Sequence, residues 1–398
     1  MIVVPANVEE MPDVDLQALA HKVLDRVEAG QFDTPGRDSR SSSGKAPAKG
    51  SQGRLPESIE GLDSIAEVSG LFLANGWTDG LPIVPPTQEY VEAMVQGLGR
   101  RPDELVGIIG PRRGRATIEQ IGINAVMAGC LPVYMPCLIA IVEALCEDDF
   151  NVDGVQGTTN PCGVAVVING PVRHALNINS GRNCLGPGWQ SNATIGRAVR
   201  LMLQNIGGGR PGEVDKATQG FPGKYAMCFA EAEEESPWEP FHVERGFSSD
   251  DSTVTVMSTS STLNIVTATI VDPVDVFKMI ALDMGQRGSN HALMGRGEPA
   301  VLLTPGHAKM AAQKLGFSKR DLKQFLYEHS RFPAAEYPKV VRARSFVRDG
   351  YIYQAQSPDD VMVLVAGGPE PYHVTFMPTF ADSKAVTKRI RQVAPPAK

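Results

Sequence analysis

Apolar residues recur at the helical period over several stretches of the chain and run unbroken over others. Leu16, Leu19, Ala20, Val23, Leu24 and Val27 share one face of a helix over Asp13–Ala29, with Asp13 as cap and Gly30 as stop. Residues 33–56 then carry one large apolar side chain, Leu55, and 14 of the 24 are Gly, Ser, Pro or Ala. Such a segment buries too little apolar area to order itself and reads as a linker. From Ser58 onward helices and strands alternate. Helical spacing predicts helices over 63–74, 90–98, 117–129, 136–145, 192–206, 274–284 and 319–328, with another starting at His307. Short apolar runs predict strands at 105–109, 164–168, 225–230, 253–257, 265–271, 300–303 and 361–366. Val164–Ile168 has no polar residue, the pattern of a strand covered on both faces. The alternation predicts an α/β fold of layered mixed or parallel sheets with flanking helices. In order, the chain divides into a helical arm (1–32), a flexible linker (33–56), a main α/β domain (57–262) and a second α/β domain (263–398). No internal repeat is evident.

Composition narrows the setting. The 398 residues are 42% apolar and 21% charged, as in globular proteins, and a net charge of −7 gives no reason to expect nucleic acid or an anionic membrane as partner. The longest near-apolar stretch, Leu131–Cys146, is short for a membrane span and holds Pro132 and Pro136. The start of the chain lacks the pattern of a signal peptide, so the six cysteines read as reduced thiols and the expected location is the cytoplasm. Gly207–Gly212 fits G-x-G-x-x-G but follows a helix, which makes it a terminator and turn. Phosphate-loop, nucleophile-elbow, H-E-x-x-H and C-x-x-C motifs are absent, and Cys130, Cys137 and Cys146 are ill spaced for zinc. No nucleotide cofactor is expected.

Three segments are candidates for chemistry. Asn75–Pro86 holds Trp77 and Asp79 in a rigid, proline-rich frame, where they either line a pocket, with Asp79 as acid–base group, or fill a capped turn. Residues 160–205 carry Asn160, Asn169, Asn177, Asn179, Asn183, Asn192 and Asn205 interleaved with glycines. Asn169-Gly170-Pro171 ends the buried strand, where open α/β sheets place ligands. The Gly186-Pro187-Gly188 loop feeds a helix with Ser191 or Asn192 as cap and Arg197 one turn in, a frame suited to an organic anion. The alternative is a set of structural Asx turns. Cys184 and Cys162 flank these loops. Lastly, Glu231, Glu233–Glu235, Glu239, His242 and Glu244 surround Trp238, as a general base or hard-metal ligand set or as a solvated acidic loop. His307, at a strand-to-helix junction, is a further proton carrier.

The stretches GWTDGLPIVPP (76–86), INAVMAGCLPVYMP (123–136), VVINGPV (166–172), GPGWQSNATIGRAVRLMLQNIGG (186–208) and SPWEPFHVERGF (236–247) resemble a family of large bacterial proteins. Its members are associated with partners carrying a UGSC selenocysteine or cysteine motif. The resemblance spans roughly residues 60–380. In that pattern a lysine and a glutamate stand where this chain has Leu131 and Val133, which implies altered chemistry or a supporting subunit. This chain has no UGSC or CGSC motif, so the resemblance implies a thiol- or selenol-bearing partner on a separate chain.

The expectation is a cytosolic enzyme, or the large subunit of a homo- or hetero-oligomer, acting on a small anionic molecule by lyase or hydrolase chemistry at a carbon–heteroatom bond. Arg197 and the Asn192 helix start would hold the anion. Asn169, Asn183 and Trp77 would position the substrate, and His242 or His307 would move a proton with Glu231, Glu244 or Asp79 assisting. Two other readings stand beside it: a non-catalytic subunit scaffolding a redox-active thiol or selenol partner, and a metal-dependent hydrolase.

Overall fold

The computed structural model describes residues 2–3, 58–59, 64–294 and 296–391. The helix expected at 13–29 and the linker at 33–56 lie outside the described residues. Strands β1 (Ile2–Val3) and β2 (Ser58–Ile59) form a short antiparallel pair. Helices α1 (Ile65–Ala74) and α2 (Gln88–Val95) lead to the hairpin β3 (Leu105–Ile109) and β4 (Gly114–Thr117). Two buried helices follow, α3 (Ile118–Ala128) and α4 (Met135–Leu145), then β5 (Gly163–Asn169), the long helix α5 (Gln190–Asn205), β6 (Cys228–Ala230), β7 (Thr253–Thr259) and β8 (Leu263–Val266). Next come α6 (Pro273–Met284), β9 (Ala300–Leu303), α7 (Pro305–Lys314) and α8 (Lys319–His329). The chain closes with β10 (Phe332–Pro333), β11 (Val347–Arg348), β12 (Tyr351–Ile352), β13 (Met362–Val365), β14 (His373–Met377) and β15 (Val386–Arg389).

Two four-stranded mixed sheets dominate, ordered β15-β7-β5-β6 and β13-β9-β14-β8. Strand β5 runs parallel to β6 and antiparallel to β7; β9 runs parallel to β13 and antiparallel to β14. Successive side chains of a strand point to opposite faces, and that period decides the layering. Ala165 and Val167 of β5 cluster with Met257 of β7, Ala300 and Leu302 of β9, and Met362 and Leu364 of β13, so the two sheets stack face to face. The alternate residues of the first sheet, Val164, Val166, Ile168, Val254 and Val256, join α3, α4 and α5 in the largest core. Those of the second, Val301, Leu303, Val363 and Phe376, join Phe277 and Ile280 of α6 and Leu322 and Leu326 of α8. The result is a four-layer α/β sandwich: helices, sheet, sheet, helices. Every residue of β5 is buried, as its unbroken apolar run predicts.

The chain passes from the first sheet to the second between Thr259 and Leu263, near the expected boundary at 262. However, β15 returns to the first sheet and pairs with β7 (Val386 opposite Val256), so both halves contribute to one sheet. Local caps set the helix limits. Thr117 Oγ1 accepts from Gln120 N, and Gly129 at φ 85° ends α3 in the left-handed conformation. Ser318 and Asp321 form a reciprocal capping box on α8. Three expectations need correction. The strand expected at 225–230 is Cys228–Ala230, because only those residues pair with β5. The long helix begins at Gln190 with Trp189 in the cap position, so neither Ser191 nor Asn192 caps it. The strand expected at 265–271 is Leu263–Val266, because its residues pair with β14 only that far.

Candidate functional site

The motifs at 76–86 and 186–208 clasp each other. Gln204 Nε2 of α5 donates to the carbonyls of Gly76 and Thr78 (2.8 and 2.9 Å), and Asn205 Nδ2 donates to that of Trp77 (2.9 Å). Trp77 itself is fully buried, edge-on to Phe72 with ring centroids 5.3 Å apart. It is a core residue. Arg197 meets Asp79 in a bidentate pair, Nε to Oδ2 and Nη2 to Oδ1, both 2.8 Å. Burial drives the Asp79 carboxyl upward, but the hydrogen bonds and charge of Arg197 outweigh it and hold it below the usual carboxylate range. The guanidinium expected to clamp a ligand is therefore engaged within the chain.

The Asn/Gly-rich loops are built from their own side chains. Asn192 Oδ1 accepts from Asn179 N (2.8 Å), while Asn192 Nδ2 donates to the carbonyls of Asn179 and Cys184. Asn183 holds the left-handed backbone (φ 62°) and donates to the Pro187 carbonyl. Cys184 is buried in the core between the sheets, where burial pushes its thiol up to about 11. His307 sits between two hydroxyls, Thr304 Oγ1 on Nδ1 (2.7 Å) and Thr267 Oγ1 on Nε2 (2.8 Å). Burial, followed by the charge of His373, pushes it down to about 4.

Asn169, Glu231 and His242 do come together, at the carboxyl ends of β5 and β6. Asn169 Nδ2 donates to Glu231 Oε2 (2.7 Å) and to Glu233 Oε1 (2.9 Å). His242 Nδ1 lies 3.9 Å from Glu233 Oε1. Arg173, absent from the candidates read from the sequence, is buried at the centre: its guanidinium donates to the Gly170 and Glu231 carbonyls and to the carboxylates of Glu233 and Glu234. The Arg173 hydrogen bonds lead in holding Glu234 down to about 2. Glu231 is wholly buried; burial raises it, opposed by the charge of Lys319, the Phe241 N–H and the Asn169 amide. Glu231 Oε1, Asn169 Oδ1 and both ring nitrogens of His242 have no hydrogen-bond partner. Glu244 stands apart from this group, paired with Lys319 (2.8 Å) and Lys323. Gly170 (φ 81°) admits no side chain here, since a Cβ would lie 2.1 Å from the Asp251 carbonyl. Backbone bonds from Ala232 to Val365 and from Gly367 to Ser180 close the ends of both sheets over the cluster.

The opposite edge is open. A cavity of about 470 Å³ lies where the loop 211–225 covers α5, lined by Asp79, Arg200, Gln204, Asp215, Phe221, Lys224 and Tyr225 among others. It is near the amino ends of β5 and β6: Gly163, the first residue of β5, lies against the Phe221 ring and Gly223. Arg200 is 8% exposed, and its guanidinium donates to Gln156 Oε1, Gln204 Oε1 and the Gly209 carbonyl. Burial pushes Arg200 down from the usual guanidinium range, against the charges of Asp215 and Asp79. Asp215 Oδ2 is 3.6 Å from Arg200 Nη1 and 2.5 Å from Lys224 Nζ. A second cavity, of about 490 Å³, is lined by Arg100, Glu104 and Arg389. Those side chains are largely solvated (28, 42 and 59% exposed), where water and salt weaken their hold on a ligand.

Of the cavity residues only Asp79 was a candidate from the sequence. Arg200 lies one turn past Arg197 on the same helix, and that spacing is the signal that identifies it. Among the described residues no three His, Cys, Asp or Glu side chains form a metal-ligand group. None of the helices there is long and apolar enough to cross a membrane. No family model and no curated protein sequence matches the chain.

Proposed function

We propose that the protein binds a small anionic organic molecule in the cavity between α5 and the loop 211–225, and turns it over by lyase or hydrolase chemistry at a carbon–heteroatom bond. One observation carries this reading: the cavity presents a buried, rigidly held Arg200 beside Lys224 in a space of about 470 Å³. A desolvated guanidinium gives an organic anion a strong, directional partner. Asp215, shared by Arg200 and Lys224, is the acid–base group within reach of such a ligand. The Asp79–Arg197 pair supports the wall. Thermal unfolding of the full chain against a panel of small carboxylates, sulfonates and phosphate esters tests the reading. Stabilisation by a panel member that is lost in Arg200→Gln and Lys224→Met supports it; stabilisation unchanged in both variants places the ligand elsewhere.

A specific surface favours a second reading, a subunit that scaffolds a thiol- or selenol-bearing partner. Leu131 and Val133 are 43 and 60% exposed where the resembled family carries charged residues. Val84 and Leu81, also exposed, border the same region: Val84 N donates to Met127 O, and Leu81 O accepts from Arg197. Native mass spectrometry of the protein from its own host, with turnover assayed on the isolated chain, separates the two: a stable hetero-oligomer whose isolated large chain is inactive supports the scaffold.

A further inference from the structure

Resting on the small-anion reading above, the geometry points to an organic monoanion as the ligand of the α5 cavity, with dianions of the same skeleton excluded. Arg200, Lys224, Asp79 and Asp215 line the cavity, with Asp215 3.6 Å from Arg200 and 2.5 Å from Lys224; Arg197, behind the wall, adds the charge that Asp79 holds. Three cations against two carboxylates leave one positive charge unmatched. The other charges of the loop, Glu213 and Lys216, are exposed: Glu213 lies 3.6 Å from Arg112, and Lys216 donates to the Gly212 carbonyl (2.5 Å), where solvent screens both.

These charges are not free to rearrange around a second negative group. Asp79 is fixed bidentately, its side chain 3% exposed. Asp215 is pinned by Lys224 and by the Ala217 N–H (3.1 Å). Arg200 is held by Gln156, Gln204 and Gly209. A single ligand carboxylate in the cavity, beside the Asp215 that already bridges Arg200 and Lys224, completes the balance. A second would lie against Asp215 or Asp79, and a like charge desolvated at that range is strongly unfavourable. Phe221 and Tyr225 line the remainder and suit the uncharged part of the ligand.

The test is calorimetric titration of the full chain at neutral pH with three probes on one skeleton: succinate, its monomethyl ester and its dimethyl ester. The monoester is expected to bind in the millimolar range, and the dianion and neutral diester about tenfold more weakly or worse. Asp215→Asn adds one surplus positive charge and should move the preference to succinate. Lys224→Met removes one and should abolish the preference for the monoester, and its half-buried position gives a second readout if Asp215→Asn fails to fold. Succinate binding the wild type as tightly as the monoester, or monoester binding that survives Lys224→Met unchanged, overturns the inference. Silence from all three probes while other anions of the panel bind overturns it too, and leaves the small-anion reading standing. Absence of any anion binding overturns both.

Discussion

The two edges of the first sheet hold similar side chains in opposite circumstances. At the carboxyl ends of β5 and β6, Asn169, Arg173, Glu231, Glu233 and His242 are enclosed, and Arg173 spends its donors on carbonyls and carboxylates of its own chain. At the amino ends, Arg200, Asp215 and Lys224 border about 470 Å³ of open space. A dense group of polar residues thus marks the sealed edge, and a sparse one the accessible edge. Most buried polar groups find partners, so a polar-rich sequence at a buried strand end is first a demand for internal hydrogen bonds, met here except at Asn169 Oδ1, Glu231 Oε1 and the His242 ring nitrogens. Binding capacity goes to the edge where the chain leaves room.

The largest effect that separates the edges is expected from Arg173→Met. Removing one partner of a buried pair leaves Glu233 uncompensated and should cost about 3–5 kcal/mol in urea unfolding. A loss within about 1 kcal/mol, the worth of a surface pair, would mean that this edge is solvated and the contrast false. The next effect is in acid. His307 titrates at about 4 when folded against 6.5 for the free side chain, so the folded state binds fewer protons between those values. Its contribution is fully present above pH 6.5 and is lost as pH falls toward 4, about 3 kcal/mol in all. Stability measured from pH 7 to pH 4 should lose part of its slope in His307→Gln and keep it in Lys224→Met; an unchanged slope in His307→Gln removes His307 as its source.

Asp79→Asn should cost less, about 1–3 kcal/mol, because Arg197 keeps one acceptor on the amide and the Leu81 carbonyl. The same variant adds surplus positive charge to the cavity, so a stability loss with no change in anion binding would detach the pair from the site. Smallest of all, Lys224→Met should cost about 1 kcal/mol, since Asp215 keeps the nearby Arg200 and the Ala217 N–H when the ammonium is removed. Its mark should be weakened binding of the panel anions. A large stability loss instead would make Lys224 a structural residue and the open edge another sealed one.

Much of the architecture is legible along the chain. The strands at 105–109 and 300–303 have the expected limits, and the helices at 117–129, 136–145, 274–284 and 319–328 end within a residue or so of them. Their burial follows local periods. Strands β14 and β15 escape that reading: Val-Thr-Lys-Arg of β15 is a half-exposed edge strand that earns its place by pairing with β7. The candidate site is legible only in part. Asn169, Glu231 and His242 do meet, whereas Asp79 and Arg197 meet each other and His307 lies between two threonines. Arg173 has no local pattern around it, so nothing near it in the chain announces its burial, and Arg200 is signalled only by its spacing one turn past Arg197.

The sequence by itself determined the α/β class, the limits of most helices and the full burial of β5. These depend on interactions within a few residues, which periodicity and backbone preference record. Tertiary structure alone decided that two sheets stack face to face, and that Asp79 lies against Arg197, 118 positions away. It alone decided, too, which strand ends are closed and which stand open. Those outcomes depend on which surfaces exclude water together, and apolar contact is non-directional: a buried valine records that it is covered, and does not record by what.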